Sequence, residues 1–208
     1  MRISDDLIRF VSRTGHLGCF RTILADPPWP SASSESRRSW IRDRTRPRYN
    51  TMKPVEIISM PVDRITAKDA VLVLWSTWMH LPLAMEIISA WGFRYCTGMP
   101  WLKVCQPTNR DYPLLPHHRL GALRPIYGPG AWFQHCTELI LIARRGKPFG
   151  KLGNPRPARK GIIIAPRREH SRKPDELQDW IDAKFPGPKL ELFARRKRAG
   201  WTCWGDEL

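Results

Sequence analysis

Phe20-Arg21-Thr22-Ile23-Leu24-Ala25-Asp26-Pro27-Pro28-Trp29 is the stretch on which the reading of this chain turns. Its first six residues make a largely apolar run of strand length, and a carboxylate, two prolines and an indole end it abruptly. Each proline fixes its own φ and has no N–H to donate, so the turn is rich in acceptors. Such a turn suits a ligand that brings donors and a flat face, such as the amino edge of a nucleobase. A buried strand that delivers Asp26 to its carboxyl end places it where ligands sit in open α/β sheets. On the four residues Asp26 to Trp29 alone, an ordinary strand-ending turn with a packed tryptophan is the preferred description, and only the rest of the chain can overturn it.

Downstream of the turn the chain alternates strands and helices. Val71-Leu72-Val73-Leu74-Trp75 is a continuous apolar run, and Ala84, Ile87, Ile88 and Trp91 follow at helical spacing until Gly92. Phe93 to Val104, Glu138 to Ala143 and Ile162 to Ala165 read as further strands. Pro174, Asp175 and Glu176 open a helix carrying Leu177, Trp180 and Ile181. Lys189 to Arg195 reads as a strand that a basic turn at 196–200 folds back onto Trp201 to Gly205 as a C-terminal hairpin. The expectation is one α/β domain over residues 1–208, with a mostly parallel central sheet. Two irregular stretches, 30–53 and 105–135, are expected to be substrate-binding loops, because loops of that length are usually functional or disordered.

Charge narrows the function. The 208 residues carry a formal net charge of +16 and a pI near 10.3, which points to a polyanionic partner, with nucleic acid ahead of a membrane surface. No long apolar run or export signal supports a membrane reading. In the loop after the turn, Arg37, Arg38, Arg42 and Arg44 are interleaved with Trp40 and Tyr49, the combination that grips phosphates and stacks on bases; a solvated basic loop is the bland alternative. Lys103, near a strand exit, is a candidate substrate contact or a snorkelling lysine. Five scattered cysteines suggest reduced thiols in a cytoplasmic protein of a bacterium or an infecting phage, and no metal site; Cys105, His117, His118 and Cys136 fit no usual zinc spacing.

The ordered blocks Leu24-Ala25-Asp26-Pro27-Pro28-Trp29, Trp91-Gly92-Phe93, Trp101-Leu102-Lys103, Glu138, His170-Ser171-Arg172-Lys173-Pro174-Asp175-Glu176, Glu191-Leu192-Phe193-Ala194-Arg195 and Gly200-Trp201 together resemble the MT-A70 family of adenine-N6 methyltransferases. The resemblance spans residues 20 to 208. It implies a Rossmann-like methyltransferase fold using S-adenosylmethionine, with DNA as the expected substrate and RNA the alternative. A noncatalytic nucleic-acid-binding paralogue would have lost the acidic turn, which is intact here. The resemblance implies catalytic roles for Asp26, Pro27, Pro28 and Trp29. Asp26 and the Pro27 carbonyl would take the two N–H groups of the adenine amine while Trp29 or a nearby aromatic stacks on the ring. On the cofactor side it implies Asp26 again, Lys173 at the methionine carboxylate, and Arg195, Asp206 and Glu207 near ribose and adenine. A homo- or heterodimer is compatible with it. The chain departs from the family pattern just past Arg195, where Arg196 and Lys197 occupy a shorter turn, so the resemblance assigns nothing to the cofactor's amino end.

Overall fold

The computed structural model describes residues 3–30, 51–105, 124–128, 132–149, 161–168 and 172–208. Helix α1 (Ile3–Arg13) leads into strand β1 (Phe20–Ala25). Short helices α2 (Pro54–Ile58) and α3 (Val62–Ile65) precede β2 (Thr66–Ser76), α4 (Leu81–Ala90), β3 (Arg94–Val104), β4 (Thr137–Arg145) and β5 (Ile163–Pro166). Helix α5 (Asp175–Lys184) and strands β6 (Lys189–Leu192) and β7 (Trp201–Trp204) complete the fold.

The seven strands form one sheet in the order β5-β3-β4-β2-β1-β6-β7. Every neighbouring pair is parallel except the two that involve β4, which runs against both β2 and β3. The central strands are apolar on both faces because both faces are covered. Ile23 and Ala25 of β1, with Ala70, Leu72 and Leu74 of β2, pack against α1 to α4, whereas Leu24, Val71, Val73 and Trp75 pack against Leu177 and Ile181 of α5. No helix among the described residues is long and apolar enough to cross a membrane.

Two features position the site. First, β1 has β2 on one side and the much later β6 on the other, so the order reverses there and a crevice opens past Ala25, beside Asp26. Second, because β4 runs antiparallel, its beginning lies at the carboxyl edge of β2, with Leu139 opposite Ser76. Glu138 is thereby brought to the same edge as Asp26.

The expected C-terminal hairpin is not formed: β7 lies parallel to β6, from Lys189 beside Trp201 to Leu192 beside Trp204. Parallel neighbours ordinarily need a longer crossover. Here each strand has only four residues, roughly 13 Å of rise, and the segment 193–200 is long enough to return along it. Arg198 fastens that return to α5 through Asp179 (2.6 Å) and Asp182 (2.8 Å), and the Trp201 indole donates to Asp182. Strand β6 also stops earlier than expected, at Leu192, because Phe193 takes a left-handed φ of 61°. Such a conformation is uncommon for a bulky residue and marks a turn held by its surroundings. The Phe193 ring packs edge-on against Trp204, and the Ala194 N–H donates to the Trp204 carbonyl.

Candidate active site

Asp26 leaves β1 at the crevice and meets an alternating row of charges. Lys173 Nζ lies 2.9 Å from Asp26 Oδ2 and 3.1 Å from Glu138 Oε2, and Lys103 Nζ lies 2.5 Å from Glu138 Oε1. The order is carboxylate, ammonium, carboxylate, ammonium, and the row is neutral overall. Lys173 also sits over the Trp75 ring, 5.4 Å from its centroid, which favours the charged ammonium. All four side chains are largely buried, so the charges interact strongly and each depends on its partners. Two flanking ammoniums hold the Glu138 carboxyl down at about 2 despite its burial. For Asp26, burial pushes the carboxyl upward and the adjacent Lys173 opposes this, while Glu138 adds to the rise. Lys173 stays charged because Asp26 and Glu138 outweigh its desolvation.

Two clefts meet at this row. The larger, about 330 Å³, is lined by Leu24, Trp75, Arg172, Lys173, Glu191 and Phe193, among others, and reaches Glu207. The smaller, about 70 Å³, is lined by Pro27, Trp29, Ser76, Thr77 and Glu138. Asp26, Lys173 and Arg195 line both. A carboxylate shared by two adjoining chambers is the arrangement that a group transfer between two bound molecules needs, because each reactant can be held while their reacting atoms approach. The smaller chamber has the volume of roughly two water molecules, which admits the edge of a flat ring rather than a whole purine.

The turn itself is fixed from several directions. Trp29 donates its backbone N–H to the Pro27 carbonyl (2.8 Å), and Met52 donates to Pro28 (3.0 Å). The Trp29 ring is buried and stacks on His80, with centroids 5.2 Å apart and planes 16° from parallel. His80 is held by Thr77 at one ring nitrogen (2.8 Å) and by the Pro30 carbonyl at the other (3.0 Å). This amends the expected roles: one face of the indole is occupied by His80, and the Pro27 carbonyl keeps only one lone pair for a substrate N–H.

The remaining candidates divide. Lys173 and Arg195 lie at the junction, where Lys173 is engaged by two carboxylates rather than presented bare to a ligand. Arg195 Nε approaches Glu207 Oε1 at 3.6 Å, so Glu207 reaches the larger cleft. Asp206, paired with it on the sequence, is exposed and does not line either cleft. Lys103 does not line a cleft either; it acts through Glu138. Arg37, Arg38, Trp40, Arg42, Arg44 and Tyr49 lie outside the described residues, as do most of the loops 30–53 and 105–135 and two of the four residues of the discounted zinc set, His117 and His118.

The sequence reading names neither Glu138 nor Glu191 among the catalytic or cofactor-binding residues. Glu138 carried one signal, a charge at the head of the apolar run Leu139 to Ala143. Only the antiparallel direction of β4 makes that charge part of the site. Glu191 lies between two apolar neighbours on β6, and burial, with Asp26 nearby, pushes its carboxyl up to about 7.

The donor set fits a zwitterionic nucleoside such as S-adenosylmethionine. Cationic Arg172, Lys173, Arg195 and Arg196 line the larger cleft together with the carboxylates of Asp26, Glu191 and Glu207 and the Phe193 ring.

Known proteins resemble this chain over most of its length. The sequence model of the MT-A70 family matches residues 20–207. The chain is 28% identical over 206 residues to the type II methyltransferase M.MunI of a Mycoplasma species, covering 91% of this chain and 78% of that protein. It is 29% identical over 195 residues to the human N(6)-adenine-specific methyltransferase METTL4, covering 91% of this chain and 37% of the relative. Against the N6-methyladenosine RNA methyltransferase MTA1 of Pyricularia oryzae it is 28% identical over 199 residues, covering 91% of this chain and 47% of the relative. The chain thus spans less than half of the last two.

Proposed function

We propose that this chain, which belongs to the MT-A70 family of N6-adenine methyltransferases, transfers a methyl group from S-adenosylmethionine directly to the exocyclic amine of an adenine in DNA. The observation that carries the reading is the position of Asp26 at the junction of the two clefts, with Lys173 fixing its orientation. The cofactor supplies an electrophilic methyl group when bound.

The chain's own residues do the rest. An adenine amine is a weak nucleophile, because its lone pair is delocalised into the ring. Asp26 accepts one N–H of that amine and the free lone pair of the Pro27 carbonyl accepts the other, which favours a pyramidal nitrogen with its lone pair aimed at the larger cleft. The rigid backbone of Pro27 and Pro28 and the stacked pair Trp29 and His80 hold these acceptors in place. Burial pushes the Asp26 carboxyl above its usual range, and Lys173, buried between Asp26 and Glu138, opposes that rise and favours the ionised form that accepts the amine N–H. In a duplex the adenine has to leave the stack first, at a cost of about a few kcal/mol.

DNA is favoured over RNA because a type II methyltransferase is matched over 78% of its length, whereas the RNA enzyme of Pyricularia is matched over 47%. The high positive charge suits either polyanion. Expression of the wild type and of Asp26→Asn in the same host, with genomic DNA and total RNA digested and N6-methyladenine quantified in each, tests the reading. Methylated adenine is expected above background in DNA for the wild type only. A rise confined to RNA would replace the DNA assignment, and no rise in either would remove the function.

A further inference from the structure

Two segments rich in exposed aromatic side chains meet beside the smaller cleft. Trp78, in the turn between β2 and α4, is 45% exposed, and on the segment leading into β4 the exposures of Trp132 and Phe133 are higher still. Trp78 is nevertheless fixed. Its indole N–H donates to Thr137 Oγ1 (2.8 Å), and its ring lies offset against His135, with centroids 6.1 Å apart and planes 22° from parallel. Both anchors adjoin the cleft, because Trp78 follows Thr77 and Thr137 precedes Glu138, and Thr77 and Glu138 line the cleft wall. The turn at 77–80 therefore serves two places. His80 stacks on Trp29 behind the acceptors, whereas Trp78 leaves nearly half of its surface open. A large flat ring, tied down yet left in water beside a reaction chamber, has apolar surface to bury against a ligand.

We propose that Trp78, backed by His135, is the platform on which the base next to the target adenine stacks. This rests on the DNA methyltransferase reading above. An adenine that swings out of the duplex into the smaller cleft leaves each neighbouring base with one bare face. The neighbour nearer the cleft then meets an aromatic plane one residue away from the wall that receives the adenine. Stacking of this kind tolerates any base, so the platform grips the strand without fixing its sequence. The two segments suit a polyanion, since neither Thr77 to His80 nor Trp132 to Thr137 carries a carboxylate, and the chain as a whole bears a formal charge of +16. A base is the occupant rather than a protein partner, because a protein bound over Trp78 would stand in the way of a strand delivering its adenine to Thr77 and Glu138.

The test starts from a pool of DNA duplexes with a single adenine in random flanks. A sequence that the wild type methylates is remade with an abasic site in place of the 5′ or the 3′ neighbour of the adenine. The wild type should lose on the order of tenfold in KM on one of these two duplexes and much less on the other. Trp78→Ala should raise KM on the intact duplex by a similar factor, whereas Trp78→Phe, which keeps a flat ring, should stay close to the wild type. On the duplex lacking the stacked neighbour, wild type and Trp78→Ala should have the same KM, a convergence that a general loss of structure does not produce. 2-Aminopurine at that neighbour should stay quenched on binding to the wild type and brighten with Trp78→Ala. Equal KM values on the intact duplex, or a loss in Trp78→Ala that persists undiminished on both abasic duplexes, would overturn the platform. So would a change in the mass of the variant by sedimentation equilibrium, which would make this surface a contact between copies of the chain. If the wild type methylated no member of the pool, the DNA methyltransferase reading would fail and this inference with it.

Discussion

Glu138→Gln is the substitution whose consequence follows most directly from the charge row. The glutamine keeps the shape of the side chain and removes its charge, leaving Lys103 and Lys173 without the carboxylate that bridges them at 2.5 and 3.1 Å. The carboxyl is held at about 2 in the folded protein against 4.5 for the free group, a gap of about 2.5. At about 1.36 kcal/mol for each pH unit, the two ammoniums contribute about 3 kcal/mol of stability through this carboxylate. The side chain is only 16% exposed, so solvent screening takes little of it away. Because the folded value is depressed, the contribution is complete above pH 4.5 and disappears as the pH falls toward 2. Urea unfolding followed by tryptophan fluorescence at pH 7, 4.5 and 3 measures it. The wild type should exceed the variant by about 3 kcal/mol at pH 7, and the difference should narrow at pH 3. A difference below about 1 kcal/mol, or one that does not change with pH, would refute the bridging role of Glu138.

Three further outcomes follow from other parts of the structure. Glu191→Gln should raise the stability of the ligand-free protein at pH 8 by up to about 3 kcal/mol, with no effect at pH 4; the carboxyl titrates at about 7 when folded, so ionising it costs stability as the pH rises from 4.5 to 7. A thermal melt series against pH in which the two proteins run parallel would contradict this. His80→Ala removes the ring stacked on Trp29 and the links to Thr77 and Pro30, and should lower kcat by roughly tenfold or more while leaving cofactor affinity unchanged; steady-state kinetics beside calorimetry would expose an equal loss of both. Gly205→Ala would drive a methyl group into the backbone of Ala194, whose nitrogen lies 2.7 Å from the new atom. It should destabilise by about 1–3 kcal/mol in chemical denaturation, and a neutral result would mean that the turn after β7 is not packed as described.

Much of the architecture was legible because it rests on local pattern. The run Phe20 to Ala25 forms the strand it reads as, and Asp26 stands at its carboxyl end. Ala84, Ile87 and Ile88 pack inward from α4, and the helix begins at Asp175 with its acidic first turn. What the pattern does not encode is the direction in which strands pair. Apolar alternation is the same for a parallel and an antiparallel neighbour, so Glu138 looked like a strand-leading charge until β4 proved to run backwards and brought it to the site. The same blindness turned a parallel β6–β7 pair into an expected hairpin. The early end of β6 depends on the left-handed Phe193, a conformation that tertiary packing on Trp204 imposes and that no propensity foretells. The row linking Asp26, Lys173, Glu138 and Lys103 draws on four separate elements or loops, and only the fold joins them.

The central claim is that Asp26, held by Lys173 at the meeting of two clefts, activates an adenine amine for methyl transfer. Incubating the purified protein with S-adenosylmethionine carrying a deuterated methyl group and with adenine-containing DNA, then resolving the nucleosides by mass spectrometry, tests it most directly. The wild type should yield N6-methyladenine carrying the deuterated label, and Asp26→Asn, folded by the same melting criterion, should yield none. Label on N6 at the wild-type rate in Asp26→Asn, or label on any other atom in the wild type, would contradict it.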